Sequence, residues 1–237
     1  MVPSWPTSRA QLIEAQRALA LATPEPYLPA HPSLAVGACV VLFPRHQAGR
    51  GERGDPAWSA ATVLRARRIL AQATVTTTAS WPYEPGLLAL REGPCLEAAV
   101  RALTLAPDVL LVDATGRDHP RRAGLALQLG AVTGLPTVGV THRPLLAAGA
   151  WPADERGAHS ALRAGGEIVG AWVRTRPGAR PLAVHPGWRT TLELAIEVVL
   201  ACTHGHRTPE PVRQARHLAR VTRGTNGKQV ATSATDK

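Results

Sequence analysis

Lysine is almost absent from this chain of 237 residues, since Lys228 and Lys237 are the only two. The formal net charge is nevertheless +10, so arginine carries nearly all of the positive charge. Guanidinium groups bind phosphate through paired hydrogen bonds, and a basic surface gives salt-dependent affinity for polyanions. The composition therefore favours a nucleic-acid partner, although biased codon usage would also enrich arginine, alanine and proline.

Cysteine is scarce as well, with Cys39, Cys95 and Cys202 as the only examples. An odd number without Cys-x-x-Cys spacing argues against both a disulfide scaffold and a zinc ribbon. A soft-metal site in the run from Cys202 to His206 is a weak alternative, because no distant partner cluster accompanies it. We expect a reducing compartment and a cytoplasmic location.

Long apolar runs are also lacking. None reaches the ~20 residues that a membrane span requires, and no signal peptide opens the chain. Hydrophobic residues make up 45% of the sequence, which is enough to bury a substantial core. We expect a single domain over residues 1–221, a disordered polar tail over 222–237, no membrane partner and a monomer.

Hydrophobic periodicity predicts three antiparallel strands followed by helix, strand, helix, strand. This order indicates an α/β fold with a mixed sheet flanked by helices. The predicted helices are 7–22, one starting at Gly93-Pro94, one after Asp118 or His119, one capped by Thr190 or Thr191, and 209–220. The predicted strands are 34–43, 58–66, 68–77, 109–112, 136–141, 167–175 and 181–187, with loops at 44–57 and 142–166.

The chain is organised around a buried strand, Val109 to Val112, that ends in Asp113. Ligands bind outside the carboxyl ends of strands in open α/β sheets. Asp113, His119, Arg121 and Arg122 follow this strand and are therefore candidates for chemistry. A helix cap followed by surface arginines is the alternative interpretation.

The same stretch resembles the endonuclease V family, whose members nick nucleic acid near deaminated adenine. In that family a strand ends in a metal-binding Asp and continues through a loop into His-Pro-Arg-Arg-x-Gly. Asp113 and HPRRAG (119–124) match this pattern, and residues 124–141 match the helix and strand that follow. The resemblance spans about residues 8–221 and implies a ribonuclease H-like fold.

The resemblance also implies a site for Mg²⁺, with Mn²⁺ as a second option. Such hard ions prefer oxygen ligands. Glu92, in LREGP (90–94), and Asp113 supply two carboxylates, while Cys39 stands where the family has an Asp. A thiol is a poor ligand for Mg²⁺. The implied metal ligands are Asp113, Glu92, Cys39 and Glu193.

Contacts to the substrate are implied in two further segments. PYEPG (82–86) resembles the family's wedge, in which a rigid turn projects Tyr83 into the gap left by an extruded base. A rigid surface turn with an exposed tyrosine is the alternative. His119 would contact the phosphate or the metal-bound water, and His142 stands where the family has a Lys. The implied nucleic-acid contacts are Tyr83, Pro82, Pro85, Gly86, Leu88, Arg121, Arg122, His142 and Arg143.

Two functions follow from these residues. The first is a metal-dependent nuclease of DNA or RNA repair that cuts 3′ of inosine, with Asp113, Glu92 and His119 as catalytic residues. The second is a homologue that binds nucleic acid or a protein partner without cutting. Retained Glu92, Asp113 and His119 favour the first, whereas Cys39, Thr115 and His142 favour the second.

Overall fold

The structure is a computed structural model that describes residues 4–44 and 51–233, with side chains up to Thr225. The described helices are α1 (Arg9–Leu21), α2 (Leu88–Arg101), α3 (Leu125–Thr133), α4 (Leu192–Ala201) and α5 (Glu210–Ser233). The described strands are β1 (Ala35–Leu42), β2 (Pro56–Arg65), β3 (Arg68–Thr78), β4 (Val109–Val112), β5 (Thr137–Thr141), β6 (His159–Ala164), β7 (Glu167–Val173) and β8 (Leu182–Pro186).

The described strands form one sheet of eight in the order β3-β2-β1-β4-β5-β8-β7-β6. Strands β1, β2 and β3 pair antiparallel, whereas β4 is parallel to both β1 and β5. The predicted mixed sheet of a ribonuclease H-like fold is therefore confirmed. In the β1–β4 pair Cys39 lies opposite Val112, so Cys39 and Asp113 are brought to the same end of the sheet.

Helices cover both faces of the sheet. One buried cluster joins α1, α2 and α3 to the face that carries Cys39 and Val112. The other joins α4 and α5 to the opposite face through residues such as Val199, Val212 and Ala215. Because side chains alternate along a strand, β1 and β4 contribute to both clusters. The end of β4 therefore lies between α2 and α5.

Helix α2 begins at Leu88, five residues before the predicted start, and Pro94 lies inside it. Proline has no backbone N–H, so the carbonyl of Leu90, one turn earlier, loses its helical donor. The hydroxyl of Ser80 donates to that carbonyl at 2.5 Å and replaces the missing bond. The helix therefore tolerates Pro94, and Glu92 lies within α2.

Helix α3 begins at Leu125, with Gly124 as its N-cap, so the predicted capping role of Asp118 or His119 is wrong. The buried carboxylate of Asp118 instead accepts three backbone N–H groups, from Leu145, Leu146 and Ala147, at 2.6, 2.8 and 2.8 Å. Asp118 thus fixes the segment after β5, on which His142 and Arg143 lie.

The predicted loop 142–166 contains β6, which pairs with β7 across a turn at Gly165 and Gly166. Leu162 is the one β6 residue that is fully covered, so the apolar signal of this edge strand is weak. Helix α5 continues to Ser233, although disorder was predicted from residue 222. Residues 45–50 of the predicted loop 44–57 lie outside the described residues.

The remaining predicted elements are confirmed. Ser8 caps α1 by accepting from the Gln11 N–H at 3.3 Å, and Thr191 caps α4 by accepting from the Leu194 N–H at 3.2 Å. The β7–β8 pair is antiparallel as predicted. None of the helices that the structure describes is long and apolar enough to cross a membrane.

Candidate nucleic-acid interface and active site

Asp113 forms an ion pair with Arg216, a contact that the sequence analysis does not predict. The Arg216 Nη2 atom lies 2.7 Å from the Asp113 Oδ2 atom, with side-chain exposures of 24% and 41%. Helix α5 fixes Arg216, because its neighbour Ala215 is buried against the sheet and the Thr62 hydroxyl donates to the Pro211 carbonyl at 3.1 Å. The carboxylate at the end of β4 therefore already has a cationic partner from within the protein.

Cys39 and Glu92 lie near Asp113, on the side of the sheet covered by α2. Burial raises the pKa of the Cys39 thiol far above its ordinary value, and the negative charges of Asp113 and Glu92 raise it further. Burial and Asp113 together raise the pKa of Glu92 to about 7, although Arg91 acts in the opposite direction. Three of the four predicted ligands thus lie near one another, and Cys39 is a neutral thiol near neutral pH.

These side chains do not fit a Mg²⁺ or Mn²⁺ site. Asp113 is engaged by Arg216, and Cys39 offers a sulfur where a hard ion prefers an oxygen ligand. Glu193 is exposed in the first turn of α4, where its charge complements the helix N-terminus. Within 4–44 and 51–233, no three His, Cys, Asp or Glu side chains converge as metal ligands.

The predicted wedge is held by the carbonyl oxygen of Gly86. This oxygen accepts from Arg121 Nη2 at 2.7 Å, from Gln16 Nε2 at 3.1 Å and from the His119 ring at 3.2 Å. Gly86 has a φ of +75°, and a Cβ there would lie 3.1 Å from Arg121 Nη2. Helix α1, the PYEPG turn and the HPRR segment therefore form one hydrogen-bonded unit.

Tyr83 projects from this turn with 43% of its surface exposed. Its backbone N–H donates to the Gly51 carbonyl at 3.1 Å, and the Leu87 N–H closes the turn on the Glu84 carbonyl at 3.0 Å. Arg9 forms an exposed ion pair with Glu84 at 2.6 Å. The backbone beneath Tyr83 is thus fixed while its ring remains accessible.

His119 is buried, and its hydrogen bonds define its tautomer. Nδ1 accepts from the Arg121 backbone N–H at 3.2 Å, so the proton is on Nε2, which faces the Gly86 carbonyl. Burial and the nearby Arg121 lower the pKa of His119 to about 4, against the smaller opposing effects of Gly86 and Asp118. His119 is therefore neutral near pH 7 and holds the wedge in place.

Arg121 and Arg122, which the family resemblance implies as nucleic-acid contacts, each contact groups of the protein itself. Arg121 is taken up by Gly86 and by Gln16, whose Oε1 accepts from Arg121 Nε at 2.5 Å. Arg122 forms an ion pair with Glu167 on β7. Both guanidinium groups therefore link segments of the protein.

The basic surface instead lies beside α5. A cleft of about 660 Å³ is lined by His206, Arg207, Thr208, Arg213, Gln214, Arg216, His217 and Arg220. No carboxylate of the described residues lines it. His142 is close by, because Asp113, Arg207 and Arg216 all influence its pKa, which burial lowers first. Arg143 is exposed on the same segment as His142.

Sequence analysis does not identify two arginines that shape the site, Arg91 and Arg216. Arg91 forms a buried ion pair with Asp55 at 2.6 Å and donates to the Glu52 and Trp81 carbonyls at 2.8 and 3.1 Å, tying the chain before the wedge to α2. The sequence did place arginines on the last helix. Only the packing of that helix against β1 and β2 puts Arg216 beside Asp113.

The strand order defines a ribonuclease H-like domain, and a basic cleft lies beside the carboxylate at the end of its central strand. A sequence profile of the endonuclease V family matches residues 46–217. The chain is 43% identical over 171 residues to endonuclease V of Roseiflexus sp. strain RS-1, covering 71% of this chain and 77% of the relative. The chain therefore belongs to the endonuclease V family.

Solved structures give the same result. The fold matches endonuclease V of Streptomyces avermitilis with a TM-score of 0.84 and 35% identity, covering 95% of this chain and 98% of that one. It also matches endonuclease V of Ciona intestinalis, solved with an inosine-containing DNA, with a TM-score of 0.77, 22% identity and coverage of 91% and 98%. The second likeness shows the fold alone.

Proposed function

We propose that this chain is an endonuclease V-type nuclease that recognises deaminated adenine in DNA or RNA and cuts the strand 3′ of it, in nucleic-acid repair. Named endonucleases at 43% identity support the nuclease class. The observation that carries the choice of substrate is the wedge, in which Tyr83 projects from a turn fixed by three donors to Gly86.

Recognition would proceed by extrusion of the inosine. Removing a base from the stack costs a few kcal/mol, and an aromatic side chain in the gap offsets part of that cost. Tyr83 is suited to this task because its ring is exposed and its backbone is restrained. The extruded base would lie near Gly86 and Leu88.

Cutting would occur at the end of β4, where Asp113 and Glu92 lie close to each other. Hydrolysis of a phosphodiester requires neutralisation of charge on the phosphate and activation of a water. Arg216 supplies a positive charge beside Asp113, and His142, whose pKa is lowered by burial, supplies an imidazole close by. The cutting assay uses Mg²⁺ and Mn²⁺ separately, because Cys39 and the Asp113–Arg216 pair do not fit either ion.

A second candidate is a homologue that binds inosine-containing nucleic acid without cutting it. One specific observation favours it: the Arg216–Asp113 ion pair engages the carboxylate that the family resemblance assigns to a metal. The neutral, buried Cys39 thiol also favours this candidate, because it stands where the family has a further carboxylate.

One assay separates the two candidates. An end-labelled strand with a single inosine, and its adenosine twin, are incubated with the wild type and with Asp113→Asn, each with Mg²⁺ or Mn²⁺. Inosine-specific nicking that Asp113→Asn abolishes supports the nuclease. Inosine-selective binding without nicking supports the second candidate, and absence of both overturns the proposal.

A further inference from the structure

The Asp113–Arg216 pair stands where the family resemblance places a metal-binding carboxylate. A divalent ion held there would supply positive charge to the phosphate. A guanidinium group has five N–H donors in a planar fork, and can bind two anions at once. Only Nη2 of Arg216 contacts Asp113 within hydrogen-bonding distance. The other donors can be shared with a second anion.

The surroundings of Arg216 favour an anionic ligand. Arg216 lines the 660 Å³ cleft together with Arg207, Arg213 and Arg220, and no described carboxylate lines it. Glu210 pairs with Arg213 at one end of the cleft, so part of that positive charge is already balanced. Arg220 is exposed one turn further along α5. The spacing of arginines along the helix suits successive phosphates of one strand.

The cleft is held in shape by the protein itself. Arg207 donates to the carbonyls of Arg180 and Pro181 at 2.6 and 2.8 Å, and the Thr175 hydroxyl donates to the Arg207 carbonyl at 2.7 Å. On the other side, α5 is anchored through buried Val212, Ala215 and Ala219. The cleft therefore needs no metal ion to organise it.

We infer that Arg216 takes the place of the divalent cation beside Asp113, and that the α5 cleft binds a phosphodiester of the substrate strand without any metal. The inference rests on the proposed function, because the ligand is the same nucleic acid, but it does not depend on whether the strand is cut. It differs from the family resemblance, which placed Mg²⁺ or Mn²⁺ at this carboxylate.

The test measures binding of a fluorescein-labelled single strand with one inosine, and of its adenosine twin, by anisotropy in EDTA and in Mg²⁺. The wild type should bind the inosine strand equally well in both buffers. Arg216→Ala should weaken binding by about threefold to tenfold and reduce the slope of log affinity against log salt by about one. The matched control is Arg163→Ala, which removes one arginine from the β6–β7 hairpin and should change neither quantity.

Metal binding provides an independent readout. Electron paramagnetic resonance measures Mn²⁺ bound to the wild type and to Asp113→Asn. The wild type should bind no stoichiometric Mn²⁺ that is lost in the variant. Thermal melts of each variant verify folding. Loss of wild-type binding in EDTA, an unchanged affinity in Arg216→Ala, or Mn²⁺ bound through Asp113 each overturns the inference. Equal affinity for the inosine and adenosine strands overturns the proposed function instead, while metal-independent binding that needs Arg216 sustains the inference.

Discussion

The Gln16 side chain on α1 donates to the carbonyl oxygen of Gly86, 70 residues further along the chain, at 3.1 Å. Gln16 also accepts from Arg121 Nε at 2.5 Å. The first helix therefore positions the wedge turn through a buried polar contact. This explains why Gln16, a polar residue of α1, is only 1% exposed.

Replacing Gln16 by alanine should loosen the wedge. The change leaves Arg121 Nε without its acceptor in a partly buried setting, which costs about 1 kcal/mol of unfolding free energy. Urea unfolding measures that loss, and anisotropy should show a smaller preference for inosine over adenosine. Glu14→Ala, an exposed position on the same helix, serves as the control. If Gln16→Ala is destabilised but keeps the same preference for inosine over adenosine, α1 does not contribute to recognition.

The Ser80–Leu90 bond predicts a specific double-variant result. Ser80→Ala removes the donor to the Leu90 carbonyl and should lower the unfolding free energy by about 1–3 kcal/mol. Pro94→Ala restores a backbone N–H that can donate to the same carbonyl. Ser80→Ala should therefore cost less in the Pro94→Ala background, as measured by urea unfolding of all four proteins. Equal costs in both backgrounds would show that the hydroxyl does not replace the helical bond.

The Ser80–Leu90 hydrogen bond also shows which contacts local sequence patterns do not predict. Periodicity and caps are local signals. They predict strands β1 to β5 and a cap at Thr190 or Thr191, and Thr191 is the observed cap. Proline is likewise a local signal of a helix start. At Pro94 it failed, because the compensating donor comes from Ser80, before the helix, and no local rule indicates that contact.

The candidate site also contains both predicted and unpredicted residues. The family resemblance predicts one site for Asp113, Glu92 and Cys39. The charges of Asp113 and Glu92 raise the pKa of Cys39, and the charge of Asp113 raises the pKa of Glu92. Arg216 was not expected beside Asp113, from which it is 103 residues distant. That contact depends on how α5 packs across β1, and helix packing is not readable from periodicity alone.

Asp118 should be a major determinant of stability. Its buried carboxylate accepts three backbone N–H groups, and Asp118→Asn leaves at least one of these donors facing an amide that cannot accept from all. We expect a loss of about 2–4 kcal/mol in urea unfolding. Glu155→Gln, an exposed change of the same type, should be nearly neutral. If Asp118→Asn loses no more stability than Glu155→Gln, Asp118 does not anchor this segment.

The low pKa of His119 predicts a pH dependence of stability. Burial and Arg121 lower the pKa to about 4 in the folded state, against an ordinary value of 6.5. Between these values the unfolded chain binds a proton that the folded chain does not, so stability falls as pH decreases from 6.5 toward 4 and is unaffected by His119 above 6.5. Urea unfolding over this range, compared with His119→Gln, isolates the contribution. An NMR titration with an ordinary pKa would contradict it.

The last prediction concerns what prevents a metal from binding. If Cys39 and Arg216 are the reason, a variant with Cys39→Asp and Arg216→Ala presents three carboxylates, those of residue 39, Glu92 and Asp113, without the competing guanidinium. In EDTA this variant should be less stable than the wild type, because a buried carboxylate without a partner is costly. Saturating Mn²⁺ should raise its melting temperature by about 5 °C or more, since ligand binding stabilises only the folded state.

The matched control replaces Cys39 by Asn together with Arg216→Ala, which keeps the size of the side chain and omits its charge. It should show no Mn²⁺ effect, and neither should the wild type. Cys39→Asp alone should respond less than the double variant, because Arg216 still occupies Asp113. If inosine-specific nicking appears with Mn²⁺ in the double variant but not in the wild type, the chain is a nuclease disabled at these two positions. If the wild type itself responds to Mn²⁺ as strongly as the double variant, neither residue excludes the metal.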